Sequence, residues 1–310
     1  MHAEDLEHVP RASIGLPFSD QNLKQFETAI RSILGQTERD WELILVADGA
    51  TDACLALAQS LSDRRIRLIV HDERLGLAVR LNQIAELAAA PVLFRMDADD
   101  VMAPNRLEVQ LAAFQQHPHV DVIGSRALLI DENDSVRGLF AEEGLPDKSS
   151  GYLRSNAFTH PTVAARTPWF RSNQYDSGLL RSQDKALWLT AHGHSRFLKL
   201  DEPVFYYRVD SRLSAKRQAH SSRYDRVLLR RYGPSVSGWP SSLAACAKSM
   251  LKQFLYAGIL RSGGEEKLYR RKYVEVPADR LAAAQATLDA VKLMELPTSS
   301  VSVSGTERAE

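Results

Sequence analysis

Residues 91–100 read Pro-Val-Leu-Phe-Arg-Met-Asp-Ala-Asp-Asp. A short apolar run, opened by a proline, leads into three carboxylates within four positions. The run is too short for an amphipathic helix and reads as a buried strand, with the acidic segment as the loop after it. Carboxylates this close repel one another strongly if buried together. A hard divalent cation is the usual remedy, because carboxylate oxygens are its natural ligands. Asp97, Asp99 and Asp100 are therefore candidate metal or diphosphate contacts. The alternative is an acidic loop that caps the helix after Pro104.

Working back from this stretch, strand and helix patterns alternate. Residues 12–17, 42–47 and 66–70 are short apolar runs that predict buried strands. Residues 23–34, 52–61 and 76–90 carry apolar side chains at helical spacing. Downstream, residues 105–116 predict a helix and 120–123 another strand. Strand–helix alternation with short links implies βαβ crossovers and an α/β fold with a mostly parallel central sheet. Ligands of such sheets bind beyond the carboxyl ends of the strands. Pro17, Phe18 and Ser19, Asp48 and the loop after it, residues 71–76 and Asp97–Asp100 all sit there.

The pattern then loosens. Residues 131–182 are rich in Asp, Glu, Gly, Ser and Asn and read as a long excursion able to cover a site. Residues 185–191 look helical, and 197–200 and 204–208 look like strands. Helices are expected over 222–232, 241–260 and 277–293, followed by a Ser/Thr-rich tail that reads as disordered.

Formal charge over the 310 residues is zero, with 39 basic and 39 acidic side chains. Residues 1–100 carry net −7, whereas residues 201–310 carry net +6. Such a division suggests two tasks on one chain. No single basic field dominates, which argues against a nucleic-acid partner. The two cysteines, Cys54 and Cys246, belong to no Cys/His cluster, so a zinc site is not expected and a reducing compartment is the default. The N-terminal residues are acidic without an apolar core, unlike a signal peptide, and no apolar run is long enough to span a membrane.

Three further features carry chemistry. Asp48-Gly49-Ala50-Thr51-Asp52 can receive a base or ribose at Asp48, while Thr51 or Asp52 can cap the next helix. Gln183-Asp184 opens a short helix, where Asp184 can be a cap or a general base. His160 precedes Pro161 in a polar stretch. The segment 208–231 holds eight Arg or Lys, including Arg208, Arg212, Lys216 and Arg217, against two Asp; it reads as a solvated helix face or an anion site.

Taken in order, ASIGLPFSD (12–20), AIRSILGQTERDWELILVADGATD (29–52), RIRLIVHDERLGLAVRLNQIAELA (65–88) and RMDADDVMAPNRLEVQ (95–110) form a recognisable series. VDVIG (120–124), FTHPTVAAR (158–166), SQDKALWLTAHG (182–193) and VFYYRVDSRLS (204–214) continue it. The series resembles the family 2 nucleotide-sugar glycosyltransferases over about residues 11–215. The resemblance implies a GT-A fold, Rossmann-like with a helical C-terminal extension. It implies an N-terminal arm at 1–11 and a catalytic domain at 12–215, split into a nucleotide-sugar half (12–130) and an acceptor half (131–215). A helical region at 216–296 and a disordered tail at 297–310 complete the chain.

It also implies roles. Pro17, Phe18 and Ser19 would line the nucleotide pocket, and Asp48 would face the base. Asp97 and Asp99 match the DXD element that holds Mn²⁺ or Mg²⁺, with Asp100 in the same loop. Asp184 matches the catalytic base of inverting members, His160 would sit near the donor sugar or acceptor, and Arg208 near the diphosphate. Two departures stand out: Ala47-Asp48 replaces the usual aspartate pair, and Gln183-Asp184 the usual Glu-Asp.

The expected activity is metal-dependent, inverting transfer of a single sugar from a nucleoside-diphosphate sugar, a UDP-sugar, to a glycan or lipid-linked acceptor. The QxxRW motif and membrane spans of processive synthases are absent from the sequence. Bacterial surface glycan synthesis is the implied setting, in the cytoplasm or peripherally at the inner membrane face. The C-terminal helices would pack on the catalytic domain or on a second copy, the alternative being peripheral docking on an anionic membrane. Two other readings are a degenerate domain that binds without catalysis and a nucleotidyltransferase. The latter is disfavoured because no Gly-rich loop follows the first strand.

Overall fold

Within the stretch 91–96, residues 92–95 form the expected strand, with side chains buried on both faces of a sheet. In the computed structural model, which describes residues 8–19, 21–50, 52–142, 144–211, 214–299 and 307–308, the first half is a series of βα units. These are β1 (Ala12–Phe18), α1 (Leu23–Leu34), β2 (Trp41–Asp48), α2 (Asp52–Ser60), β3 (Ile66–His71), α3 (Leu77–Leu87) and β4 (Val92–Arg95). β1 pairs in parallel with β2 and with β4, and β2 with β3, giving the order β3-β2-β1-β4. All four carboxyl ends therefore open on one edge. The reversal of strand order lies between β1 and β4, where such sheets bind ligands.

The chain continues with β5 (Val101–Met102), α4 (Arg106–Gln116), β6 (Val122–Ile130), β7 (Val136–Phe140) and α5 (Ser149–Tyr152). A 3₁₀ turn at His160–Thr162 precedes β8 (Ala164–Arg166), α6 (Thr167–Ser172), α7 (Gln183–Ala191) and β9 (Phe197–Arg208). β8 is antiparallel to both β4 and β6, and β9 runs parallel to β6. The excursion read at 131–182 thus contains two strands and two helices that join the sheet and its cover. These pieces are three to six residues long, too short to show a period. The two strands expected at 197–208 are one strand, whose register shifts where Arg126 faces Pro203. Proline has no N–H to give the ladder, so the pairing bulges there.

The last third comprises α8 (Ala215–Arg261), α9 (Glu265–Arg270), β10 (Tyr273–Val274), α10 (Ala278–Lys292) and β11 (Glu307–Arg308). α8 is two helical arms broken at Ser237 and Gly238, where Gly238 has φ +78°. The arms fold back on each other: Arg226 donates to Gln253 (2.9 Å), and Gly233 lies against Ser242. β10 extends the sheet antiparallel to β7, and β11 pairs with β3. Of the tail read as disordered, residues 297–299 lie along the end of α2, through Ser62 N–H to Pro297 O and Ser299 N–H to Ser60 O. Residues 300–306 and 309–310 lie outside the described residues, as do 1–7 of the N-terminal arm and Thr51 and Arg212.

The sheet separates two apolar layers. Phe26, Ile30 and Ile33 of α1 pack with Leu107, Leu111 and Phe114 of α4 on one face. On the other face Leu81 and Ile84 of α3 meet Trp169, Phe170, Leu187 and Trp188, joined by Leu228 and Leu229 of α8. α3 approaches β1 so closely that a Cβ on Gly15 would lie 2.3 Å from Ile84.

α1 also fixes the chain that follows the acidic loop. Ser32 Oγ accepts from Met102 N–H (3.1 Å). Buried Gln36 donates to Ala103 O (2.8 Å) and Ser32 O (2.9 Å) and accepts from Leu107 N–H (3.1 Å). Gln36→Leu would strand these backbone groups in the interior, at a cost of about 2 kcal/mol. Thermal unfolding should then occur roughly 5 °C lower, and an unchanged midpoint would show the bridge to be dispensable.

Candidate active site

The acidic loop leaves β4 in a tight turn, with Asp100 N–H donating to Asp97 O. Met102 and Val101 then pair with Phe205 and Tyr206 of β9. This crossing brings Arg208 onto the loop. Its backbone N–H donates to Asp100 Oδ1 (2.7 Å), its Nε to Asp99 O (2.6 Å) and its Nη1 to Asp131 O (2.8 Å). Its Nη2 pairs with Asp134 (2.6 Å). The guanidinium is thus turned onto the loop and the turn beside it, and serves as a clamp between them.

Oxygen atoms of Asp97, Asp99 and Asp100 all lie within 4.8 Å of one another. Desolvation, with Asp97 next, pushes Asp99 up to about 6. Desolvation and then Asp99 hold the buried Asp100 well above the ordinary carboxylate range. Asp100 Oδ2 is buried without a partner among the described residues. A three-carboxylate set with an orphaned oxygen fits a hard divalent cation, whose charge would relieve both the repulsion and the desolvation. On the inner side, Arg95 Nη2 pairs with Asp97 at 2.5 Å, while Arg95 Nε and Nη1 are buried without hydrogen-bond partners among the described residues.

At the β1 and β2 ends the named residues separate. Phe18 is buried and stacks on Phe26 at 4.8 Å, so its ring belongs to the core. Ser19 faces the opening, where its hydroxyl accepts from Arg74 (2.7 Å). Pro17, buried, pairs with Val46 in the ladder. Asp48 accepts from Leu75 N–H (2.8 Å), Gly76 N–H (2.9 Å) and Arg80 Nε (2.8 Å). Its carboxylate pins the 72–76 loop beside the opening. Gly49 turns away at φ +60°, a left-handed conformation suited to glycine.

His160 and Asp184 come together. Both line one cavity of about 380 Å³, with Phe158, Lys185, Tyr207 and Asp225 also in its wall. Tyr207 connects this cavity to the acidic loop: its hydroxyl is pushed up by burial and then by Asp100, Asp97 and Asp99. His160 Nε2 bonds Tyr175 Oη at 2.8 Å. Burial and the charge of Arg95 hold the imidazole well below its usual range, so it is neutral at pH 7. Asp184, half-buried in the first turn of α7, is raised by desolvation. Hydrogen bonding to the Lys185 N–H and the charges of Arg95 and Lys185 oppose that rise. Ser182 just before it adopts φ +59°, uncommon for a residue with a side chain.

Arg95, Arg80, Tyr175 and Asp225 were not singled out from the sequence. Arg95 and Arg80 do leave a trace there. Each is a charged residue inside an otherwise apolar strand or helix pattern, a position that demands a buried partner. Tyr175 and Asp225 leave none.

The family model described as "Glycosyl transferase family 2" matches residues 13–169, half of the chain. EpsE of Bacillus subtilis (strain 168) is 28% identical over 79% of this chain and 90% of its own length. The O-antigen biosynthesis glycosyltransferase WbnJ of Escherichia coli is 29% identical over 62% of this chain and 78% of its own. Among solved structures, the mannosyltransferase PcManGT from Pyrobaculum calidifontis, in complex with GDP-Man and Mn²⁺, superposes with a TM-score of 0.57 at 16% identity. That match covers 93% of this chain and 88% of PcManGT. S. aureus TarS 1-349 in complex with UDP-GlcNAc gives a TM-score of 0.56 at 15% identity, over 91% and 88%. These two likenesses concern the fold, which is of the GT-A type. With half its length matched by the family model and a three-carboxylate cluster at the switch point of its sheet, the chain belongs to glycosyl transferase family 2.

Proposed function

We propose that the chain transfers a single sugar, with inversion, from a nucleoside-diphosphate sugar to an acceptor hydroxyl. The observation that carries this reading is Asp184, a carboxylate in a cavity whose wall residue Tyr207 adjoins the acidic loop. In the reaction the acceptor oxygen attacks the anomeric carbon and the bond to the diphosphate breaks. The acceptor proton passes to Asp184, and the nucleoside diphosphate leaves. Asp184 suits the role because burial raises its proton affinity, while Arg95 and Lys185 keep it ionisable.

Asp97 and Asp99, with Asp100 in support, would hold Mn²⁺ or Mg²⁺. When bound, the ion neutralises charge developing on the leaving diphosphate. Arg208 acts by locking the loop against the 131–134 turn. Neutral His160, oriented by Tyr175, offers a hydrogen bond to the donor sugar or acceptor. Pro17, Ser19 and the 72–76 loop held by Asp48 frame the base and ribose side, with Phe18 backing them from the core. Asp48 fixes that wall rather than reaching for the base.

The donor we favour is a UDP-sugar, and the acceptor a glycan or lipid-linked glycan in bacterial surface synthesis at the cytoplasmic side. O-antigen biosynthesis in the name of WbnJ, and UDP-GlcNAc in the TarS complex, support this choice. No described helix is long and apolar enough to cross a membrane, and the C-terminal helices offer the remaining surface for a membrane or a second copy.

Three outcomes are expected. Asp184→Asn should abolish transfer while donor affinity, measured by calorimetry, stays within about threefold; equal loss of both would remove Asp184 from the base role. For pH, a raised carboxylate works as a base only above its shifted pKa. The acid limb of kcat/KM should therefore lie above the ordinary 3.8. Lys185→Met should move it further up, because Lys185 favours the ionised form. Mn²⁺ at about one hundred times its Kd should stabilise the protein by about 2.7 kcal/mol. Asp97→Asn with Asp99→Asn should lose that thermal shift without unfolding the protein.

A further inference from the structure

The second arm of α8 is only half used by the fold. Its inner side, with Ser242, Ala245 and Cys246, is buried against the first arm and the catalytic layer. Its outer side carries Leu243, Ala247, Met250, Leu251, Phe254 and Leu255 at spacings of three and four, which is one continuous helical face. Leu243, Leu251, Phe254 and Leu255 are 57–69% exposed. Isolated exposed leucines need no explanation, but a contiguous apolar stripe of this length does.

The charge around the stripe is one-sided. From Pro240 to Arg261 there is no Asp or Glu, and Lys248, Lys252 and Arg261 are the only charged residues. Lys248 and Lys252 follow the stripe along one edge and are exposed, and Arg226 of the first arm lies at the other, bonded to Gln253. The acids next in sequence are spent or distant. Asp225 faces Lys185 and Ser182, and Glu265 and Glu266 lie past the turn that ends the helix.

We propose that this arm docks on an anionic lipid surface, with the apolar stripe entering the interface and the basic edge meeting the head groups. The combination of an apolar face and cations that make no ion pair among the described residues is what a membrane-surface helix requires. A second copy is a poorer fit. Pairing two stripes would set Lys248, Lys252 and Arg261 against their own duplicates, with no acid on the helix to offset them.

Docking would also orient the enzyme. Lys248 and Lys252 line a cavity of about 190 Å³ beneath the arm, and Lys252 also lines the cavity of Asp184 and His160. The lipid surface would then border the acceptor side, so that an acceptor anchored in it reaches Asp184 from the edge. This orientation rests on the function proposed above; the docking itself does not.

The test is flotation of the full chain with vesicles of pure phosphatidylcholine and of phosphatidylcholine with phosphatidylglycerol. Binding should require the anionic lipid and fall at high salt. Leu251→Ser with Phe254→Ser, and separately Lys248→Glu with Lys252→Glu, should each weaken it on the order of tenfold or more, with circular dichroism and melting unchanged. Folded wild type that ignores both vesicles overturns the proposal. So does a dimer, seen by sedimentation, that the Leu251/Phe254 pair dissociates while lipid binding stays unchanged. Asp184→Asn should float like the wild type. Flotation without use of any donor would defeat the catalytic reading alone, and donor turnover without flotation the docking alone.

Discussion

Mutual repulsion among Asp97, Asp99 and Asp100, whose oxygens lie within 4.8 Å of one another at the end of a four-residue strand, is the constraint around which this molecule is arranged. Each element that touches the acidic loop answers it. Arg95 pairs with Asp97 from inside the sheet, and Arg208 holds the loop through Asp100 Oδ1 and Asp99 O. Ser32 and Gln36 of α1 tie down the chain beyond. The cations offset part of the charge, yet Asp99 and Asp100 still hold protons above the ordinary range. That residual deficit of positive charge is what makes the cluster a candidate cation site.

The same low-dielectric surroundings extend to the candidate base. Arg95 pairs with Asp97, favours the ionised form of Asp184 against its desolvation, and adds to the burial that disfavours protonation of His160. One buried guanidinium therefore links the acidic loop with the cavity of Asp184 and His160. Arg106 plays a different part. It is fully buried, bonded to Gln110 and to carbonyls of Arg95 and Val163, and its pKa is pushed down to about 9 by burial and then by Arg95. It braces the back of the strand that carries the loop. A second buried pair, Asp48 with Arg80, shapes the loop beyond β2 without joining the cluster.

The charge asymmetry of the chain now has a location. Acidic groups of the first hundred residues include the cluster, while the basic excess of the last third lies on α8. Tyr232 and Arg231 on Asp176, and Lys185 on Asp225, fasten the first arm of α8 to the segment 176–185. The second arm hangs on the first, which leaves its apolar face open.

Residues 12–116 were nearly transparent to reading, whereas the strand expected at 120–123 lies at Val122–Ile130. Every strand and helix from β1 to α4 except the two-residue β5 followed from apolar period and flanking turns, because each buries one pattern of neighbours in sequence. The acidic loop was legible for the same reason: charge density is a property of consecutive residues. What could not be read was which distant groups meet. The pairing of His160 with Tyr175, the turning of Arg208 onto Asp99 and Asp131, the capture of Asp48 by Arg80 and the core position of the Phe18 ring depend on packing between segments far apart in the chain. Local pattern specifies elements because backbone and side-chain preferences act over a few residues. The partners of a buried charge are chosen only when the sheet closes and water is gone.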